Sequence, residues 1–297
     1  MSVDKMKRIL IITTGGTIAS EDRGNGLTPA HSGSELSDGI SGCETEILDL
    51  FACDSTDISP DHWRTLYKAV RSAEDYDGIV VLHGTDTLEY TASMLYYTVS
   101  DMNKPIIVTG SMLPFSAKDW DGKKNISDAV KVACDSGVKG VYVVFCGRII
   151  KGNDAVKRNS RHIDAFASFR GKECGYIDGE NVIMQELQEA PETLKIPEND
   201  KKIAVIKLSP FTEEVYVPEG YSGAVIESFG AGGVPDRPLL LSSVKKLAER
   251  MPVIMTTNCI SGADLHEYNV GERALALGVI DGKVLSTASA MVKLWLE

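Results

Sequence analysis

The chain has 297 residues, with 31 Lys+Arg against 42 Asp+Glu for a formal net charge of −11, and it is 43% hydrophobic and 25% charged. These globular values exclude intrinsic disorder, and the acidity argues against nucleic acid or an anionic membrane as the main partner. No apolar run approaches the roughly 18 residues of a membrane span, and the short run at 9–12 lacks the length and cleavage site of a signal peptide, so a cytoplasmic protein is expected.

Continuous Val/Ile/Leu runs predict buried strands over 8–13, 46–52, 78–83, 105–109 and 140–146. Between them, Trp63, Leu66 and Val70 fall on one helical face behind Ser59 and Pro60, an N-cap followed by proline at the first helical position. Leu88, Ala92, Leu95 and Val99 form a second stripe. Further strands are predicted over 203–208, 224–228 and 253–256. Strands alternating with amphipathic helices predict an α/β fold, a mostly parallel sheet flanked by helices. The polar stretch 189–202, with Pro191 and Pro197, reads as a linker. The expected organisation is a larger N-terminal α/β domain at 1–190, a linker at 191–202 and a smaller α/β domain at 203–297.

Cys43, Cys53, Cys134, Cys146, Cys174 and Cys259 form no C-x-x-C pair, and the five histidines include no H-E-x-x-H. Neither a disulfide framework nor a dedicated metal site is expected.

Ligands of open α/β sheets bind beyond the carboxyl ends of the strands. After the first predicted strand comes Thr13-Thr14-Gly15-Gly16-Thr17-Ile18-Ala19, where two glycines permit a sharp turn and close backbone approach. A plain strand-exit turn or a nucleotide loop is the other reading, although no G-x-G-x-x-G or P-loop spacing is present. After the third comes His83-Gly84-Thr85-Asp86-Thr87. Asp86 in a first helical turn would be held ionised by the helix dipole, and Thr85 can offer a hydroxyl and a backbone N–H to an oxyanion. The alternative is that both only cap the helix. His83 reads as a satisfied strand-end residue.

T-G-G-T-I-A and H-G-T-D-T, in this order, closely resemble the two signature motifs of the bacterial-type L-asparaginases. Further segments are similar: Asp54-Ser55-Thr56-Asp57-Ile58, Thr109-Gly110-Ser111-Met112 with Pro114, Asp121-Gly122 with Asn125, Asp164-Ala165-Phe166, and Cys259-Ile260-Ser261-Gly262. The D-S-T-D-I wording resembles the cytoplasmic, type I branch. The resemblance implies hydrolysis of L-asparagine to L-aspartate and ammonia, with at most weak glutaminase activity and no metal or organic cofactor.

Carried across residue by residue, it makes Thr14 the nucleophile that forms an acyl-enzyme, and Thr85, Asp86 and Lys157 a hydrogen-bonded trio. A threonine hydroxyl needs a base or a strong local field, and a desolvated lysine oriented by a carboxylate supplies one. Asp54, Ser55 and Thr56 would hold the substrate's α-carboxylate and α-ammonium, and Ser111 would place a backbone carbonyl near the scissile amide. Read from the residues alone, the 54–56 stretch is as well explained by a solvated Asx-type turn.

The family's lid usually carries a tyrosine over the nucleophile, but residues 20–33 have none. Leu27 takes its place, with Gly24 and Gly26 to keep the lid mobile. Thr14 is then activated by the trio, or Thr28, a water or a tyrosine from elsewhere substitutes. Gly233 stands where relatives place an asparagine that reaches into a neighbour's site, and Thr287-Ala288-Ser289 lacks the glutamate that accompanies the substrate ammonium. Glu227 occupies the place of an effector-binding arginine near Cys259.

The expected partner is a small amino-acid substrate, in a homodimer or homotetramer with the loop 230–233 contributed in trans. Two other readings are an ammonia-releasing subunit of a Glu-tRNA amidotransferase and a non-catalytic amino-acid-binding protein. The amidotransferase family carries an extra N-terminal domain, for which the sequence before Thr13 leaves no room.

Overall fold

A computed structural model describes residues 6–16, 18, 20–22, 27–29, 40, 42–187 and 191–297. The chain divides into two compact units, one reaching to Ser168 and including Glu173–Thr193, the other comprising Phe169–Lys172 and Leu194–Glu297. Residues 191–202 carry no helix or strand.

The first unit is built on an 8-stranded sheet, and its centre follows from the apolar runs. β1 (Arg8–Gly15), β5 (Gly78–Leu82), β6 (Pro105–Thr109) and β7 (Gly140–Phe145) are buried along nearly their whole length. They run parallel, with β4 (Glu44–Cys53) beside β1 at the edge. β4 alternates between half-buried and exposed residues, as an edge strand does. One face of this sheet packs Ile9, Ile11, Val80, Leu82, Ile107 and Val144 against Ile126, Ala129 and Val130. Those last three lie on the helix Gly122–Cys134. Burial of each large aliphatic side chain contributes about 1.5–3 kcal/mol.

Helix α1 (Pro60–Arg71) starts where proline and Ser59 predict, and His62 Nδ1 accepts from the Ser59 backbone N–H at 3.2 Å. Helix α2 (Leu88–Val99) carries a single charged residue, Glu89, and nearly every residue is buried. The helix Gly122–Cys134 is α3.

Beyond β7 the sheet turns antiparallel: β8 (Arg148–Lys151), β11 (Gly175–Asp178) and β12 (Asn181–Met184) complete the order β12-β11-β8-β7-β6-β5-β1-β4. The β7–β8 turn is two residues, Cys146 at φ 50° and Gly147 at φ 77°. Left-handed backbone at both places is what a tight hairpin twist requires. Residue 146, expected inside a strand, is therefore a turn residue. β9 (Ala155–Lys157) and β10 (Phe166–Ser168) form a separate antiparallel pair, as do β2 (Ser20–Asp22) and β3 (Leu27–Pro29).

The second unit carries a 4-stranded parallel sheet in chain order, β13 (Ile203–Lys207), β14 (Gly223–Ser228), β15 (Val253–Thr257) and β16 (Ile280–Asp281). Helices α4 (Pro238–Arg250), α5 (Asn269–Ala276) and α6 (Thr287–Leu296) complete it. Val225 and Ile254 pack with Ala290 and Leu294, while Ile226 and Met255 sit in a core with Leu240, Val244 and Ala274. The expected fold class, two α/β parts with mainly parallel sheets, is what the chain adopts.

Candidate active site

In the large sheet the chain runs from β1 to β4 on one side and returns to β5 on the other. Such a reversal of strand order opens a crevice at the carboxyl edge. The motif glycines let backbones close around it. Gly16 has φ 83°, and a Cβ there would lie 2.2 Å from Gly84 Cα. A Cβ on Gly84 would in turn meet the Ser55 side chain at 2.6 Å, and one on Gly110 the His83 carbonyl oxygen at 2.3 Å. Four strand exits are thereby drawn together at distances that only glycine allows.

Thr14 is 2% exposed, and its Oγ1 donates to the Leu82 carbonyl at the end of β5 at 2.9 Å. Three residues beyond Leu82, Thr85 is also buried. Its Oγ1 accepts from Lys157 Nζ at 2.7 Å, and the same ammonium donates to Asp86 Oδ1 at 2.6 Å. Lys157, on β9, is thus brought to the β5 exit from 71 positions away in sequence. Its side chain is 16% exposed, against 57% for Asp86. The trio Thr85–Lys157–Asp86 is assembled.

The helix dipole plays a different part from the one expected. α2 begins at Leu88 with Thr87 at its N-cap position, so Asp86 lies before the helix rather than in its first turn. The Thr87 side chain makes no cap bond; its hydroxyl donates to the Ser55 carbonyl at 2.6 Å. Asp86 is held by the Lys157 ammonium, and Thr85 and Asp86 are not cap residues.

The loop after β4 is clipped onto this junction, since the Asp86 backbone N–H also donates to Ser55 Oγ at 3.2 Å. Asp54 Oδ1 accepts from both Thr56 N and Thr56 Oγ1 at 2.8 Å, which is the Asx-type turn that the residue types allow. Asp54 and Thr56 face solvent, whereas Ser55 is buried. After β6, Ser111 is fully buried, and its hydroxyl donates to Leu113 O and accepts from Trp120 Nε1. Asp121 accepts from Met112 N and Leu113 N, and Asn125 donates to Gly110 O. The loop is locked by residues whose side chains are used up in holding it.

His83 is a scaffold residue. Trp63 Nε1 donates to Thr91 Oγ1 at 2.9 Å, Thr91 Oγ1 donates to His83 Nε2 at 3.0 Å, and His83 Nδ1 donates to Gly84 O at 2.7 Å. Complete burial lowers its pKa to about 4, and both ring nitrogens are occupied.

Residues 8–189 match the family model described as Asparaginase, N-terminal, and residues 204–296 match Glutaminase/Asparaginase C-terminal domain. The chain belongs to the asparaginase family. It is 37% identical to an L-asparaginase of Thermococcus kodakarensis over 300 residues, covering 97% of this chain and 91% of that protein. The solved thermostable L-asparaginase of the same organism superposes with a TM-score of 0.87 at 35% identity, covering 97% of this chain and 92% of that one. The probable cytoplasmic L-asparaginase of Campylobacter jejuni gives 0.82 at 25% identity, covering 98% and 94%.

Gly24 and Gly26, expected in a lid, lie outside the described residues. Leu27 and Thr28 fall on β3, opposite Asp22 and Glu21 of β2. Gly233 has φ 133°, and a Cβ there would meet the Val270 backbone at 2.7 Å. This asparaginase has no room for an asparagine side chain at that point. Among the described residues no group of three or more His, Cys, Asp and Glu is arranged to hold a metal ion.

One residue escaped the sequence reading. Glu89 Oε2 accepts from the Lys157 backbone N–H at 2.6 Å. Burial pushes its carboxyl up to about 7, opposed by the Lys157 N–H and charge. The signal available was an acid three positions after Asp86, at the head of an otherwise uncharged helix.

Proposed function

We propose that this asparaginase hydrolyses the side-chain amide of L-asparagine to L-aspartate and ammonia through an ester on Thr14. The observation that carries the reading is the Lys157 ammonium bonded to both Thr85 and Asp86 just beyond β5, the strand whose last carbonyl, Leu82 O, accepts from the buried Thr14 hydroxyl. Thr14 Oγ1 forms a bond to the amide carbon as its proton passes to the leaving nitrogen, and the C–N bond breaks to release ammonia. Water then attacks the ester carbon, its proton returns to Thr14 Oγ1, and aspartate leaves. Lys157 holds the Thr85 hydroxyl in place to relay these protons, and Asp86 keeps the ammonium aligned. Ser55 and its neighbours Asp54 and Thr56 take the α-carboxylate and α-ammonium, and the Ser111 carbonyl faces the amide. Leu27, Thr28, Gly24 and Gly26 belong to the covering lid.

No metal or organic cofactor enters this scheme. Glutamine is a minor substrate. We place the protein in the cytoplasm, supported by the Campylobacter relative's description; among the described residues no helix is long and apolar enough to cross a membrane. A homodimer or homotetramer with the 230–233 loop given in trans is the expected assembly, and sedimentation measures it.

The test is ammonia release from L-asparagine by the purified chain alone. Thr14→Ala should lower it at least ~10⁴-fold while far-UV circular dichroism is unchanged. Ammonia that appears only with an added protein partner and tRNA points to an amidotransferase subunit. Calorimetric binding of asparagine without ammonia points to a binding protein.

A further inference from the structure

Lys157 is held at both ends by one short stretch of chain. Thr85 and Asp86 take its ammonium, and Glu89 in the first turn of α2 takes its backbone N–H. β9, which carries the lysine, is 3 residues long and pairs only with the equally short β10 among the described strands. A ladder of that length fixes a strand weakly, so the bond from Glu89 decides where the lysine's root sits relative to Thr85. An acid at this place is unfavourable for an otherwise uncharged, buried helix, since removing a carboxylate from water is costly unless charge or hydrogen bonds compensate. The Lys157 charge and N–H supply that compensation from β9, and the helix N-terminus supplies it from α2.

Resting on the reading of Lys157 as a catalytic group, we propose that Glu89 is a positioning residue for the amide chemistry: through the Lys157 main chain it sets the distance between the ammonium and the Thr85 hydroxyl. The charges that bear on it are Lys157 on β9 and, across the same ammonium, Asp86 on its own segment. Its grip is tightest when ionised, because a carboxylate accepts an N–H more strongly than a neutral carboxyl does.

The experiment compares wild type, Glu89→Gln and Glu89→Ala from pH 6 to 9. Glu89→Ala should lower kcat by ~10–100-fold with KM changed less than about threefold. Glu89→Gln keeps an acceptor without the charge. Its kcat should match wild type near pH 6, where the wild-type carboxyl is protonated, and fall behind ~10-fold above pH 8. A wild-type to Glu89→Gln ratio that stays flat with pH overturns the proposal. So does Glu89→Ala with undiminished kcat and unchanged melting temperature. Should Glu89→Ala fail to fold, the Gln ratio decides alone. An activity-free readout separates this idea from the functional reading. The Lys157 amide nitrogen resonance should titrate with a midpoint near the Glu89 value in wild type and lose that titration in Glu89→Gln. Wild type that releases no ammonia sinks the functional reading, whereas an amide that never titrates sinks the coupling of Glu89 to Lys157.

Discussion

The carboxyl ends of the parallel strands in the two units are met by the same residue types to different ends. In the second unit, Glu227 at the end of β14 is bound by Lys207 Nζ at 2.6 Å and by the Thr287 hydroxyl at 2.9 Å, and Thr287 also meets Thr256 at 3.1 Å. Lys207 is 67% exposed, so its ion pair is a solvated surface pair of small energetic weight. In the first unit the lysine is 16% exposed and donates to a buried threonine hydroxyl as well as to a carboxylate. A lysine, a threonine and an acid at the end of a parallel strand are therefore not a reaction centre by themselves. What distinguishes the first edge is the withdrawal of the ammonium from water.

The comparison is sharpened most by Lys157→Met, which should reduce kcat by ~10²–10⁴-fold with a small change in KM, measured by steady-state ammonia release. An unchanged kcat would make the first edge no more reactive than the second. Next, Gly16→Ala should destabilise the first unit by about 2–4 kcal/mol in urea unfolding, because its methyl meets the Gly84 backbone and its φ is left-handed.

A third prediction concerns protons. Burial raises Glu89 from 4.5 to about 7, so its protonated form stabilises the fold below pH 4.5 and that contribution is lost as pH rises to 7. His83 is lowered from 6.5 to about 4, so its contribution is present above pH 6.5 and lost as pH falls to 4. Each amounts to at most about 3 kcal/mol, and the two oppose each other between pH 4.5 and 6.5. Glu89→Gln should leave His83 unopposed, so unfolding free energy should climb with pH across that window; the same slope as wild type would refute the pairing. The smallest effect is expected at the second edge. Thr256→Val should lower stability by about 1 kcal/mol and leave turnover as it is, since Thr287 keeps its bond to Glu227.

The central strands were legible because β1, β5, β6 and β7 are buried on both faces and must be continuous apolar runs. The antiparallel extension was not. β11 and β12 have 4 residues each with mixed exposure, too few for a period to emerge, and Cys146 gives no hint of its left-handed turn. At the site, Thr14, Thr85 and Asp86 stood out because they sit at or just beyond the carboxyl ends of buried strands, Thr14 within the last two residues of β1. Lys157 and Asp54 were reached through family resemblance, for neither a lone lysine nor an Asx turn carries a signal of its own. Glu89 was hidden because its partner is a backbone N–H, a group that no sequence spells out.

The close approach of Gly16 to Gly84 has a bearing on redesign. Where Gly16 meets Gly84 the junction is peptide main chain, so no truncation of a side chain can open it, and any enlargement there would push two strands of the sheet apart. Accommodating bulkier amides must therefore come from elsewhere, by varying the segment after β4, with the glycine junction serving as a fixed anvil against which those changes are selected.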